Sequence, residues 1–305
     1  MSLSPRLIRR RIRSVSNTRK ITKAMEMVSA AKMRRAVGRA LSSRAYAKLA
    51  YEVVERVART TNPRLHPLLS GKIKRAEGEE AIVIPEKKIA VLLVSSNRGL
   101  CGGFNSQVAA KALDTIKQAG GLLEVITLGK KGRDVLRRNA VNITADFVKT
   151  DLTNRLEDIL PLARLLLKEF MEGKYRKVFL VYTHFTSALL QKALTRQLLP
   201  LSDELLEKSE QEDFTEESEA YYLFEPSPKE LLDAVLPRIL ELQVYQAILE
   251  SEASEHSARM LAMRNATDAA KDMIDGLTLI YNQARQAGIT REIAEIAGGK
   301  AALEA

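Results

Sequence analysis

The sequence predicts an α/β fold combined with a long coiled coil: an antiparallel coiled coil of the N- and C-terminal helices with an inserted Rossmann-like α/β domain. Residues 228–298 carry apolar or small side chains at steps of three and four, as a heptad seam requires. Residues 5–60 form a second helical stretch, and strands alternate with helices between the two. The expected boundaries are 1–62 for the N-terminal helix, 63–226 for the inserted domain and 227–305 for the C-terminal helix.

The N-terminal helix has clear start and stop signals. Ser4 can cap it and Pro5 can occupy its first helical position, while Asn62 followed by Pro63 ends it. Alanines predominate over large apolar residues in this stretch, which allows a second helix to approach closely. The opening residues are rich in arginine and poor in acids, so a mitochondrial transit peptide is an alternative to a simple helix start.

The middle of the chain alternates apolar strands with helices. Strands are predicted over 89–96, 122–129, 142–148, 177–185 and 188–198, and helices over 105–119, 132–139 and 152–172. This alternation is typical of a mostly parallel sheet. A loop is predicted over 63–87, with a short extra strand at 81–84. The acidic stretch 203–219 lacks apolar periodicity and is predicted to be a mobile loop.

The C-terminal helix is too long to pack within a compact core. It has no glycine between Glu230 and Asp275, and its one internal proline is Pro237. About 70 residues at 1.5 Å each make a rod of roughly 105 Å. Such a rod requires a partner along its length, and the N-terminal helix is the candidate.

Charge is distributed unevenly along the chain. The net charge is +10, yet residues 1–60 carry +13 and residues 201–225 carry −9. A basic helix implies an acidic partner: nucleic acid, anionic lipid or acidic protein loops. No apolar run approaches the roughly 18 residues that cross a bilayer. The single cysteine excludes an internal disulfide and favours a reducing cytoplasm.

The sequence GLCGG at 99–103 is the most suggestive catalytic pattern. It follows an apolar strand and precedes a helix, as a nucleophile elbow does, with Cys101 as the nucleophile. His184, at the end of another strand, could act as the base. However, Thr186 stands where cysteine amidotransferases have an orienting glutamate. The alternative, which we favour, is a tight strand-to-helix turn in which Cys101 is a small packed apolar residue.

Cofactor and metal signatures are missing from the sequence. No Gly-Lys pair is followed by Ser or Thr, and no Gly-x-Gly-x-x-Gly occurs. The three histidines, His66, His184 and His256, lie far apart without clustered cysteines. We therefore predict no cofactor, no metal and a non-catalytic chain.

Four blocks carry a specific resemblance. They are IRSVSNTRKITKAMEMVSAAKMRRA at 12–36, SSNRGLCGGFN at 95–105, SARMLAMRNATDAAKDMI at 257–274 and RQAGITREIAEIAGG at 285–299. In this order they resemble the gamma subunit of F-type ATP synthases, from one end of the chain to the other. The resemblance implies a coiled-coil shaft inside a hexamer of alpha and beta subunits, with the α/β domain as a foot that binds the epsilon subunit and sits on the membrane c-ring.

The resemblance also implies a role and partner contacts. The role is a non-catalytic central rotor that couples rotation of the c-ring to nucleotide-site changes in the hexamer. Membrane association would be indirect, at the cytoplasmic face of the inner or plasma membrane, without nucleic acid. The residues expected to contact partners are Lys23, Met25, Lys32, Arg34, Arg35, Arg285, Gln286, Thr290, Ile293 and Ile296. Ile289 joins the last two in the apolar end of the helix.

Some positions depart from the family pattern, and two other functions remain open. Gly288 stands where the family commonly has Ala or Ser, and segments 71–86 and 203–219 match no family motif. The thiol switch of chloroplast relatives is not expected, because no cysteine pair is present. The alternatives are a cysteine-dependent hydrolase or amidotransferase using Cys101, and a basic coiled-coil nucleic-acid binder. The second lacks stacking aromatics in its basic region.

Overall fold

The computed structural model describes residues 4–60, 66–70, 88–149, 156–201 and 227–304. The chain forms two compact units. The first comprises Met1–Ala31 and Arg259–Ala305, and the second comprises Lys32–Ala258.

Helices and strands follow one another much as the sequence predicts. The helices are α1 (Pro5–Thr60), α2 (Pro67–Ser70), α3 (Phe104–Ala119), α4 (Lys130–Arg138), α5 (Leu160–Met171) and α6 (Pro228–Glu304). The strands are β1 (Lys88–Val94), β2 (Leu123–Leu128), β3 (Ile143–Phe147), β4 (Tyr175–Phe185) and β5 (Gln191–Leu199). Both long terminal helices are therefore confirmed, and the backbone carbonyl of Ser4 accepts the first hydrogen bonds of α1.

Most predicted boundaries shift by one to three residues, and two predicted segments differ more. The helix expected over 152–172 is preceded by a 3₁₀ turn, Leu156–Asp158, and α5 itself begins at Leu160 with Pro161 in its first turn. Proline has no amide hydrogen and is favoured in the first turn of a helix, where that hydrogen would have no partner, so Pro161 favours a start at Leu160. The loop expected over 63–87 contains the one-turn helix α2. The predicted strand at 81–84 and the segments 71–86 and 203–219 lie outside the described residues.

The second unit is built on a five-stranded sheet with the order β3-β2-β1-β4-β5. The first four strands in this order are parallel, and β5 runs antiparallel to β4. The mostly parallel, Rossmann-like sheet is thus confirmed. Strand β1 is central, because Val91 lies opposite Val125 on one side and Phe179 on the other.

Helices cover both faces of this sheet. Successive side chains of a strand point to opposite faces, so Val91 and Leu93 pack with α3 and α4 on one side. Leu92 points to the other side, into a larger core shared with α2, α5 and the first part of α6. That core includes Leu68, Phe170, Leu236, Ile239, Val244 and Ile248. Continuous apolar burial on both faces explains why β1 reads as an unbroken apolar run.

A partly buried ionic network lies at the amino ends of β1, β2 and β4. The carboxylate of Glu124 accepts from Lys88 Nζ at 2.7 Å and the Tyr175 hydroxyl at 2.8 Å, and lies 2.9 Å from Lys174 Nζ. Burial acts to raise the pKa of Glu124, but these hydrogen bonds outweigh it and lower the pKa to about 2. Glu169 extends the network, 2.5 Å from Lys174 Nζ.

The first unit is an antiparallel helix pair with a heptad seam. On α1, Ile8, Thr22 and Ser29 are buried at multiples of seven residues. On α6 the least exposed positions alternate steps of four and three: Met263, Thr267, Ala270, Ile274, Leu277, Tyr281, Ala284 and Gly288. The predicted seam is therefore confirmed, with small and polar residues at many of its positions.

Candidate functional site

Side-chain contacts set the register of the helix pair. Arg9 donates from Nη2 to the Tyr281 hydroxyl at 2.6 Å, and its guanidinium carbon lies 5.3 Å from the ring centroid. Further along, the hydroxyl oxygens of Thr22 and Thr267 lie 2.8 Å apart. Residue numbers rise on α1 as they fall on α6, so the two helices run antiparallel.

A basic groove runs along the helix pair beside the threonine contact. It has a volume of about 400 Å³, and its lining residues are Arg19, Lys20, Lys23, Ala24, Met27, Thr267, Asp268 and Lys271. Four of these residues are cations and one is an anion. The surface therefore favours anionic groups, and its effect on a partner would decline with salt.

The predicted contact residues of α1 are distributed over both units. Lys23 lines the groove and has a side chain that is 54% exposed, with its ammonium 3.0 Å from the Glu26 carboxylate. Met25 is half-buried in the same unit. Lys32, half-buried, and Arg34 and Arg35, both exposed, belong to the second unit.

The predicted contact residues of α6 are all exposed. Arg285, Gln286 and Thr290 lie at the surface, and Ile293 and Ile296 are 62% and 74% exposed. Every residue of the helix from Ile289 to Lys300 is exposed. Gly288 lies half-buried on the seam, and a Cβ there would meet no atom within 4 Å. The helix continues through Gly288 without a break.

Within the first unit, Lys23 and Arg285 lie apart on the helix pair. Lys23 lies beside Thr267, whereas Arg285 follows Tyr281. The 18 residues between Thr267 and Arg285 correspond to roughly 27 Å along α6. Lys20 and Lys271 were not predicted, although both line the groove with Lys23. The spacing of Arg19, Lys20 and Lys23 indicates one basic face, but Lys271 joins it only through the pairing of the helices.

The GLCGG segment forms a tight turn around a buried thiol. Leu100 and Gly102 adopt positive φ values of 62° and 54°. Cys101 is 2% exposed; its Sγ accepts from Asn105 Nδ2 at 3.1 Å and lies 3.9 Å from the Arg98 carbonyl oxygen. A buried thiol accepting a hydrogen bond within its own turn is typical of a structural cysteine.

His184 forms a structural contact with α6. Its Nδ1 lies 2.6 Å from Oε2 of Glu250, whose other carboxylate oxygen accepts from Gln246 Nε2 at 2.9 Å. Glu250 is 4% exposed, so this pair is shielded from solvent on the side of α6.

Within the described parts of the chain, no three His, Cys, Asp or Glu residues are grouped so that they could hold a metal ion. None of the described helices combines the length and the apolar character needed to cross a membrane.

Comparisons with known sequences cover nearly the whole chain. A family model described as ATP synthase matches residues 4–303. An ATP synthase gamma chain of Pelotomaculum thermopropionicum is 43% identical over 301 residues, which span 99% of each chain. One of Dehalococcoides mccartyi is 40% identical over 300 residues, 98% of each chain.

Solved structures share the same architecture. A chain in the Euglena gracilis mitochondrial ATP synthase, in rotational state 3, has a TM-score of 0.64 at 20% identity, covering 98% of this chain and 94% of that one. A chain in the central stalk and c-ring structure of the Tetrahymena thermophila enzyme has a TM-score of 0.58 at 24% identity, covering 81% and 99%. These likenesses establish the fold.

The fold is that of a coiled-coil subunit with an inserted α/β domain. The basic groove and the exposed end of α6 both lie on the helix pair. With the sequence matches, it follows that the chain belongs to the ATP synthase gamma-chain family. Membership makes the chain a non-catalytic subunit, as predicted. Neither the cysteine-dependent hydrolase nor the nucleic-acid binder has support from any of these relatives.

Proposed function

We propose that the chain is the central rotor shaft of a proton-translocating F-type ATP synthase, coupling rotation of a membrane c-ring to nucleotide-site changes in an alpha/beta hexamer. The observation that carries this proposal is the match over 99% of the chain to a gamma chain at 43% identity. The exposed groove and the exposed end of α6 supply surfaces that partners could cover.

The asymmetry of the helix pair supports a rotary role. The cations of the basic groove, Arg19, Lys20, Lys23 and Lys271, lie on one side of the pair. A rotating shaft that carries this groove presents a different surface to each surrounding subunit. It can shift a subunit between open and closed states only by its difference in contact energy with the two. Moving a site from mostly open to mostly closed takes about 5.5 kcal/mol.

The partner contacts divide into two groups along the shaft. Lys23, Lys32, Arg34 and Arg35, with Met25 beside them, would meet acidic loops of the beta subunits. Arg285, Gln286 and Thr290 would hydrogen-bond to a beta subunit nearer the top of the hexamer. Ile293 and Ile296 would form an apolar bearing, which suits their exposure of 62% and 74%.

The inserted domain would connect the shaft to the membrane sector. In this division, residues 1–62 and 227–305 form the shaft and residues 63–226 form the foot. The foot would bind the epsilon subunit and the c-ring, and the chain would thus be held peripherally at the cytoplasmic face of the membrane.

Reconstitution tests the function directly. The chain is mixed with alpha and beta subunits from the same source, the mixture is separated by size exclusion, and Mg-ATP hydrolysis is assayed. We expect a complex with one copy of the chain per hexamer and hydrolysis that depends on it. If the chain elutes alone and hydrolysis is unchanged, the rotor function is wrong.

Charge reversal tests the proposed contact between Lys32 and Arg35 and the acidic loops of the beta subunits. We expect Lys32→Glu with Arg35→Glu to weaken assembly with the hexamer and to flatten its salt dependence, because attraction to acidic loops is replaced by repulsion. The matched control is Lys130→Glu with Arg137→Glu, two exposed cations of α4. Equal assembly by both double variants would rule out the acidic-loop contact while leaving the rotor role intact.

A further inference from the structure

Helix α6 changes its packing chemistry just before residue 258, the last residue of the second unit. Up to Ile248 it contributes mainly aliphatic side chains to the core of the sheet domain, although Glu241 and Gln243 are also buried there. Glu250, Ser254 and Ser257 then follow at steps of four and three, which places them on one face of the helix. All three are buried, with exposed fractions of 4%, 0% and 0%. Three buried polar side chains on one face require specific partners.

Each of the three has a partner in the hairpin formed by β4 and β5. Ser254 Oγ donates to the Thr183 carbonyl at 3.3 Å, and Ser257 Oγ donates to the Ala188 carbonyl at 2.6 Å. His184 lies between Thr183 and Ala188 in the chain, and its Nδ1 is 2.6 Å from Glu250 Oε2. About 10 Å of helix is thereby tied to one hairpin at three points.

The hairpin end that receives these contacts is itself well ordered by hydrogen bonds. The Ser187 amide donates to the Leu190 carbonyl at 3.0 Å, and Ser187 Oγ accepts from the amides of Leu189 and Leu190 at 3.3 and 3.1 Å. Gln191 Nε2 donates to the Ala188 carbonyl at 2.9 Å. The Ala188 carbonyl is therefore held in place to accept from Ser257.

Directional contacts restrain a helix in a way that apolar contacts do not. Apolar burial depends on area and has no preferred direction, so an aliphatic face alone tolerates small rotations of a helix about its axis. A hydrogen bond weakens steeply when its angle changes. Rotating α6 by one residue position, about 100°, would remove all three polar contacts and leave buried groups unsatisfied.

We propose that Glu250, Ser254 and Ser257 form a torque joint, which fixes the rotational setting of α6 against the β4–β5 hairpin. The proposal rests on the rotor function, because only a rotating shaft transmits torque between the sheet domain and its helices. The three residues are positioning residues, because they contact His184 and the carbonyls of Thr183 and Ala188 in this chain. The side chains of Ser254 and Ser257 are small, which allows the backbone of α6 to approach the carbonyls of the hairpin.

The test uses the complete synthase in sealed vesicles, with this chain carrying Ser254→Ala and Ser257→Ala. ATP hydrolysis and ATP-driven proton uptake are measured together. We expect hydrolysis to stay within about twofold of the wild type, while the ratio of protons moved to ATP hydrolysed falls at least about threefold. The loss should grow as an opposing proton gradient is imposed, because a weakened joint slips more under load.

The matched control removes two hydroxyls that bond only locally. Ser42 Oγ donates to the Gly38 carbonyl of its own helix, and Ser106 Oγ donates to the Gly103 carbonyl three residues earlier. Ser42→Ala with Ser106→Ala should keep the wild-type ratio at every gradient. An unchanged ratio in the Ser254→Ala, Ser257→Ala variant, or a proportional fall of hydrolysis and uptake together, overturns the torque joint.

Single variants keep the test decisive if the double variant does not assemble. Ser257→Ala and Ser254→Ala should each lower the ratio by less than the double variant. A wild-type ratio in both single variants would overturn the proposal. If the wild-type chain itself fails to couple hydrolysis to proton uptake, the proposed rotor function is wrong. If the wild-type chain couples them and the variants behave in the same way, only the torque joint is wrong.

Discussion

Helix α6 is packed in two contrasting ways. In the second unit, Leu232, Leu236 and Ile248 are at most 2% exposed and belong to the core of the sheet domain. In the first unit, Met263 and Ala270 are the buried apolar side chains among those described on α6. The same helix thus packs through large aliphatic residues in the core of the sheet domain and through small or polar ones in the helix pair.

The contrast shows which region can be stable without a partner. Each fully buried Leu or Ile contributes about 1.5–3 kcal/mol, so the sheet domain has a large hydrophobic contribution. The helix pair instead leaves apolar residues in solvent: Ile21, Val28, Met273 and Ile280 are 61%, 56%, 51% and 45% exposed. Helices gain most of their stability from tertiary packing. We therefore expect the helix pair to depend on partners that cover these residues.

The largest effect should come from the centre of the sheet. Leu92→Ala removes a side chain that is fully buried in β1. We expect the free energy of unfolding to fall by about 2–5 kcal/mol, through lost burial and a residual cavity. Urea titration followed by far-ultraviolet circular dichroism measures it. Leu122→Ala, at a residue 51% exposed, is the control and should change it by about 0.5 kcal/mol or less. If both variants lost similar free energy of unfolding, the conclusion that Leu92 lies in a densely packed core would be wrong.

One substitution should have opposite signs in the two regions. In α4, a Cβ on Gly132 would lie 2.6 Å from Ser95 Oγ and 2.9 Å from Leu93 Cδ2. Gly132→Ala should therefore destabilise by about 1–3 kcal/mol. On α6, a Cβ on Gly276 meets nothing within 4 Å, so Gly276→Ala should stabilise by about 1 kcal/mol through helix propensity. Thermal unfolding of both variants decides this, and a shared sign would show that packing does not differ as described.

Acid should weaken the sheet domain through Glu124. Its folded pKa is lowered to about 2 from a usual value of 4.5, so its contribution to stability is present above pH 4.5 and is lost as the pH falls towards 2. We expect Glu124→Gln to cost about 2 kcal/mol at neutral pH and much less at about pH 3. Urea titrations at both pH values test this. Glu157→Gln, at an exposed residue, should track the wild type, and a pH-independent cost for Glu124→Gln would refute the assignment.

The smallest effect should appear at the polar contact of the helix pair. The Thr22 and Thr267 hydroxyls also bond to carbonyls of their own helices, at 3.0 and 2.7 Å. Thr22→Val with Thr267→Val should therefore be nearly neutral, and a double-mutant cycle should give a coupling of about 0.5–1 kcal/mol. Thermal unfolding of the two single variants and the double variant supplies the cycle. A coupling near zero would mean that the two hydroxyls do not interact.

Much of the fold could be predicted because its signals are local. The heptad spacing of Met263, Ala270 and Ile274 identifies a seam, and the unbroken apolar run of β1 identifies a strand buried on both faces. The glycines around Cys101 indicate the tight turn that the structure contains. These features depend on residues close together in the chain.

The candidate site was only partly predictable. The basic face of α1 follows from the spacing of Arg19, Lys20 and Lys23. Lys271 joins the groove only because Thr22 meets Thr267, and nothing local to either helix specifies that pairing. The hydrogen bonds of Ser254 and Ser257 could not be predicted either, because the sequence around a helical serine does not indicate which carbonyl of a distant segment lies beside it.

The sequence alone thus determined the two long helices, the alternating strands, the basic N-terminal face and the family to which the chain is related. Periodicity, turn residues and charge act within a few residues of the chain, so they can be read directly. Tertiary structure decided the register of the helix pair, the composition of the groove and the anchoring of α6 on the β4–β5 hairpin. Those features depend on contacts between residues far apart in the chain, where many registers satisfy the same heptad pattern and only the packed structure selects one.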